Sequence, residues 1–287
     1  MSLRSIRKIV KGRNTQDGAG VKLVRVISDP DVREFDPFLL LDAFDSYNPA
    51  DYTSGFPWHP HRGIETITYL ISGEIKHEDS LGNKGTILDG CCQWMTAGGG
   101  ILHQEMPQVS KRMLGIQLWL NLPAKNKMTA PQYREITPDM VPTVNEDGII
   151  IKVVSEHYRG IPGAVKSDFV KLTLLDVTLN AGANWEYNLS KEHTLFVYIV
   201  EGAGWFEASD HPLISCKSAV LFNQGEEFLA RASDQGMRFL LFAGEPIGEP
   251  ISWGGPIVMN TQAELKQAFR DLEEGTFVLN FLPNLKN

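Results

Sequence analysis

Short runs of β-branched, aromatic and aliphatic residues recur along most of the chain, broken at strand-length intervals by glycine, proline and asparagine. "TITYLISGEI", "RMLGIQLWLNL", "DFVKLTLLDVTL", "TLFVYIVEGAGWFEA" and "MRFLLFAGEP" are such runs, and each predicts strand structure. Turn signals fall between them, among them "SLGNKG", "NAGAN", "ASDH" and "NQGEE". This alternation predicts an all-β barrel or sandwich rather than a βαβ arrangement. One helix interrupts the pattern near the carboxyl end, at "TQAELKQAFRDLEEG". Thr261 and Glu264 have capping-box spacing and Gly275 is placed to end the helix. Leu265, Ala268, Phe269 and Leu272 share one face, which should pack on a sheet.

Residues 121–148 hold four prolines and no sustained period, which predicts a linker or extended surface segment. It divides the chain into two β-rich halves, 1–135 and 136–287. Setting Gly73 on Gly202 superposes "TYLISG" on "VYIVEG", and setting Gly98 on Gly225 superposes "WMTAG" on "LFNQG". The two offsets are nearly equal, as expected for the same fold built twice with one loop of different length.

The chemistry concentrates in the first half. In "FPWHPHRGIETITYLISG", His59 and His61 stand two apart, so on a strand both imidazoles point to one side. Pro60 between them cannot donate to a sheet ladder and predicts a strand start or an edge. In "GGGILHQEMP", His103 and Glu105 repeat the same spacing. On neighbouring strands the two pairs would bring three nitrogens and one carboxylate to a common centre, a donor set suited to divalent Fe, Mn, Ni, Cu or Zn. The alternative for a lone HxH is two partly exposed histidines with no ligand role. Through the internal alignment, His59 and His61 fall on Asn188 and Ser190, while His103 and Glu105 fall on Ala230 and Ala232. All four candidate ligands are absent from the second half together, as the parts of one site would be.

Composition narrows the partners. Of 287 residues, 43% are apolar and 22% charged, the profile of a globular protein with a substantial core. The net charge of −8 opposes nucleic-acid binding, which draws on clustered Lys and Arg. The exception is Arg4, Arg7, Lys8, Lys11 and Arg13, read as edge-strand protection and solubility. Cys91, Cys92 and Cys216 are too few for a disulfide framework and point to a reducing compartment. No apolar stretch reaches membrane-span length, and "MSLRSIRKIV" lacks a signal peptide's apolar core. The expected location is the cytoplasm.

"HPHRGIETITYLISG" followed by "QWMTAGGGILHQEMP", with "GEPISWGGPIVMNTQAELKQAF" near the end, resembles the pirin family of the cupin superfamily over nearly the whole chain. The resemblance implies a bicupin: two antiparallel β-barrel (jelly-roll) domains and a short C-terminal helix. It places the metal in domain 1–135 and makes 136–287 a degenerate cupin. It assigns His59, His61, His103 and Glu105 as ligands of one divalent ion, with Fe(II) first and Mn, Ni, Cu or Zn as alternatives. It also implies a quercetinase, a metal-dependent dioxygenase that opens a flavonol ring with O2 and releases CO. The partners are then a small aromatic substrate and O2, with Glu105 as general base. The alternative is a non-enzymatic, iron-dependent redox sensor that binds protein partners. Neither reading calls for direct nucleic-acid contact or a membrane.

Several neighbours carry expectations of their own. Glu65 shares the strand parity of the histidines and is read as a partner that orients a ligand or as a structural acceptor, a fifth ligand being the minor alternative. Phe56, Trp58, Trp94, Met95 and Met106 are either pocket wall or core. Arg62 is read as holding an anionic substrate or a carboxylate, or as a surface ion pair. The "AGGG" glycines should shape the turn that presents His103, and Cys91 and Cys92 should be buried and inert.

Overall fold

The computed structural model describes residues 2–207 and 212–279, so the "ASDH" turn signal lies outside the described residues. Two compact units divide the chain, each drawn from separated segments. Residues 44–135 join 16–22 and 249–279 in one, and 136–248 join 2–15 and 23–43 in the other. Chain order and packing part company because strand pairing and helix docking recruit distant segments. Ile6–Lys11 pairs with Ser218–Phe222, and the C-terminal helix packs on residues of the site-bearing unit. Among the described residues, no helix is long and apolar enough to cross a membrane.

The site-bearing unit is built on antiparallel strands in two sheets. One runs in the order Gln132–Ile136, Cys92–Thr96, Ile64–Ser72, Met113–Asn121. The other runs Phe56–His61, Ile101–Pro107, Ile75–Asp79, Lys84–Ile87. Phe56–His61 stands at the edge of its sheet, where Pro60 forfeits no ladder bond in the interior. The proline-rich stretch is more ordered than a linker. Its prolines sit outside the strands, leaving Gln132–Ile136 free to extend a sheet and Thr143–Glu146 free to pair with Ile149–Ser155.

The helix spans Gln262–Glu273 with the Thr261–Glu264 capping box in place. Leu265 and Ala268 are buried with Ile257, Met259 and Phe277. Phe269 differs from expectation: it lies at the margin of the apolar face and stays 39% exposed.

The other unit repeats the strand order. Ser218–Phe222, Thr194–Trp205 and Glu227–Gly244 lie side by side as Cys92–Thr96, Ile64–Ser72 and Met113–Asn121 do. The register corrects one part of the internal alignment. His59 faces His103 and His61 faces Ile101, whereas Trp185 faces Ala230 and Tyr187 faces Phe228. The counterparts of His59 and His61 are therefore Trp185 and Tyr187, not Asn188 and Ser190. These two rings stack at 5.4 Å and fill, with Phe206, Phe228 and Phe239, a core that also buries Ala230 and Ala232. Aromatic packing stands where the first unit gathers its histidines.

The basic amino terminus divides in role. Lys8 pairs with Asp31 and Glu34 on the surface, as expected. Arg4 instead is fully buried, and its guanidinium donates to the carbonyls of Ser190, Lys191, His193 and Asn223. A planar five-donor group suits that cluster of acceptors.

Candidate metal centre

The period-two geometry of strands brings three of the four expected ligands together. His59, His61 and His103 place one ring nitrogen each within 4.8 Å of the others. His103 lies directly across the ladder from His59, on the strand next to it. The turn leading into the second strand depends on glycine. Gly100 has φ +136°, and a Cβ there would collide with the Phe277 carbonyl. His61 and His103 are buried, and His59 is the partly exposed member.

Backbone carbonyls determine which nitrogens are free. A carbonyl only accepts, so His59 Nδ1 donates to the Pro57 oxygen at 2.9 Å and His61 Nδ1 donates to the Pro256 oxygen at 3.2 Å. Both Nε2 atoms then carry lone pairs, and they face each other at 3.1 Å. His103 Nε2 is buried with no hydrogen-bond partner among the described residues. Two converging lone pairs and an orphaned buried nitrogen are costly in an apolar interior and are what a cation would satisfy. The donor set therefore fits a divalent metal.

His61 and His103 are also held in the neutral form that binds metal. Burial pushes His61 down to about 3, with the neighbouring His59 adding to the shift. Burial likewise pushes His103 well below the usual imidazole range, reinforced by His61 and His59. The sign for stability follows. Below the ordinary value of 6.5 the unfolded chain takes up a proton that folded His61 refuses until about 3. The metal-free protein is expected to lose stability as pH falls through that window. Urea midpoints at about pH 7 and about pH 5 should fall more steeply for wild type than for His61→Leu. Equal slopes would show that the ring is not held neutral.

Glu105 does not join the three-histidine group. Its buried carboxylate accepts from Thr68 Oγ1 at 3.1 Å and from Gln117 Nε2 at 2.7 Å, two residues paired across the facing sheet. Burial raises its pKa, and His59 and these two donors partly offset the rise. It borders a cavity of about 10 Å³ walled by Phe44, Tyr52 and Phe56, room for roughly one water. Glu65 is also buried and accepts from Thr96 Oγ1 at 2.6 Å, with its pKa raised chiefly by burial. Trp94, Met95, Cys91 and Cys92 are core, and burial pushes the Cys92 thiol up. Trp58 is 47% exposed beside His59.

Comparison with known proteins identifies the family. The chain matches the Pirin family model over residues 20–120 and the Pirin C-terminal cupin domain over residues 174–278. The chain belongs to the pirin family. A pirin-like protein of Caulobacter vibrioides is 42% identical over 280 residues, covering 96% of this chain and 100% of the relative. A Pseudomonas aeruginosa pirin relative, provisionally named a quercetin 2,3-dioxygenase, is 42% identical, with 96% of this chain and 99% of the relative covered. The crystal structure of quercetin 2,3-dioxygenase from Acinetobacter baumannii superposes with a TM-score of 0.88 at 32% identity, covering 96% of this chain and 99% of that one. The bicupin fold is thus shown, with its histidine cluster in the first pirin domain.

Within this pirin fold, two tryptophans at the site had no signal in the sequence. Trp119 meets His61 edge-on at 5.0 Å, and Trp253 lies 5.9 Å from Trp119. Arg62 is buried rather than on the surface: it donates to Asp271 Oδ2 at 2.6 Å and to the Phe277 carbonyl at 2.8 Å. Of the three readings for Arg62, the carboxylate partner is the one observed.

Proposed function

We propose that the chain is a cytoplasmic, metal-dependent dioxygenase of the quercetinase type, which opens the central ring of a flavonol with O2 and releases CO. The carrying observation is the convergence of three imidazoles: the Nε2 atoms of His59 and His61 face each other, and that of His103 is buried without a partner among the described residues. The name of the Acinetobacter baumannii neighbour supports the substrate class. His59, His61 and His103 hold the ion, and Glu105 is the fourth group of the set. A divalent metal, Fe(II) before Mn, Ni, Cu or Zn, would supply Lewis acidity toward the flavonol oxygens and a redox route to O2.

The rest falls to side chains. The cavity beside Glu105 is far smaller than the roughly 300 Å³ of a ligand pocket, so the flavonol approaches from the exposed side of His59, past Trp58. Glu105 takes the hydroxyl proton of the flavonol. Its raised pKa makes it a stronger base than an exposed carboxylate, and Thr68 and Gln117 hold it in place. Phe44, Tyr52 and Phe56 keep bulk water from that carboxylate.

The test is to purify the protein without added metal, quantify bound metals, and reconstitute with Fe(II) anaerobically. O2 uptake and CO release with quercetin are then measured beside His103→Leu. Metal-dependent turnover that disappears in the variant is the expected result. Stoichiometric metal without turnover would overturn the enzyme reading in favour of an iron-dependent sensor that binds a protein partner.

A further inference from the structure

The carbonyl that sets the tautomer of His61 comes from outside the ligand strands. Pro256 lies in the turn between Ser252–Gly254 and Ile257–Met259. One buried lysine determines where that turn sits. Lys127 Nζ donates to Asn121 Oδ1 at 2.5 Å, to the Gly63 carbonyl at 2.8 Å and to the Val258 carbonyl at 2.9 Å. Gly63 follows His61 by two residues and Val258 follows Pro256 by two. A single ammonium therefore joins the two backbones whose neighbours form the His61–Pro256 hydrogen bond. The Val258 amide adds a bond to the Arg62 carbonyl at 3.1 Å. The approach is close enough to require glycine: Gly63 has φ +79°, and a Cβ there would collide with the Val258 carbonyl.

Burial pulls Lys127 down to about 7. Only the ammonium form carries the three hydrogens that three acceptor oxygens demand. A second tie runs through Arg62, whose guanidinium engages Asp271 on the helix and lies 4.2 Å over the Phe277 ring.

We infer that Lys127 is a positioning residue of the metal centre: by holding Val258 against Gly63, it keeps the Pro256 carbonyl on His61 Nδ1 and aims His61 Nε2 at the ion. This rests on the metal-centre reading above. Outer partners that orient a ligating imidazole are worth about 10–100-fold in metal affinity. His59 provides an internal control, because its orienting carbonyl, Pro57, belongs to its own strand and is independent of Lys127.

The experiment measures Zn(II) affinity by chelator competition on wild type and Lys127→Met, together with the imidazole N–H proton resonances of the Zn(II)-loaded proteins. Lys127→Met is expected to bind Zn(II) about 10–100-fold more weakly. It should lose the slowly exchanging His61 Nδ1–H signal and keep that of His59. Wild-type affinity with the His61 signal intact would overturn the inference. If Lys127→Met shows no cooperative unfolding transition, Asn121→Ala decides by the same two readouts, since it removes one of the three acceptors that seat the Lys127 ammonium. Wild type that binds no Zn(II) would overturn the metal-centre reading itself. Wild type that binds, with both variants unchanged, would remove only the positioning role.

Discussion

His103→Leu is expected to abolish stoichiometric metal binding while leaving the metal-free protein at least as stable as wild type. Losing a ligating imidazole outright should exceed the about 10–100-fold effect of losing an outer partner. The stability half of the prediction separates two readings of the same residue. A histidine serving as a packed, hydrogen-bonded core residue would destabilise the fold when replaced. Among the described residues His103 Nε2 is instead buried without a partner, and an unsatisfied buried polar group costs about 1–3 kcal/mol. Leucine removes that penalty and keeps most of the volume. The check is a pair of urea titrations without metal, followed by melting with added Zn(II). For wild type, metal at about 100 times its dissociation constant should add about 2.7 kcal/mol. The variant should show no such gain. A large loss of metal-free stability in His103→Leu would mean that the ring is structural.

What was legible in the sequence was what strands encode locally. The shared direction of His59 and His61 follows from period two, and Pro60 marks an edge strand because its missing donor has few other places to go. The helix, its capping box and its buried Leu265 and Ala268 were equally local. The register of the second unit was not. Aligning on Gly73 and Gly202 anchors the strands downstream, but only residues 62–63 separate Phe56–His61 from Ile64–Ser72, whereas residues 189–193 separate Asn184–Asn188 from Thr194–Trp205. The longer loop displaces the alignment, which is why Trp185 and Tyr187 rather than Asn188 and Ser190 stand where the histidines do. Long-range contacts left no trace either. Arg4 reads as a surface cation, Arg62 reads three ways and Lys127 carries no reading until the fold brings carbonyls from distant segments around them. Pro256 cannot be recognised as the partner of His61 from either local sequence, because a backbone carbonyl has no residue identity to reveal it.

Glu105→Gln is expected to keep metal affinity within a few-fold of wild type and to lower turnover by about 10²–10⁴, the usual contribution of a positioned general base. The surroundings permit the substitution. Thr68 and Gln117 both donate to the carboxylate, and a glutamine at 105 can accept one of these bonds while the Gln117 amide turns to receive the other. Packing around the small cavity is unchanged because the side chains are isosteric. What disappears is the capacity to take a proton. Metal titration and turnover therefore separate the two roles proposed for this residue. If Glu105 acts chiefly as a base, metal is retained and O2 uptake with quercetin collapses. If it acts chiefly as a ligand, affinity and turnover fall together, since a neutral amide oxygen is a weaker donor than a carboxylate. Unchanged turnover would remove Glu105 from the chemistry and leave the three histidines as the whole of the reactive centre. The position of Glu105 outside the histidine group, with both carboxylate oxygens already engaged by Thr68 and Gln117, favours the first outcome.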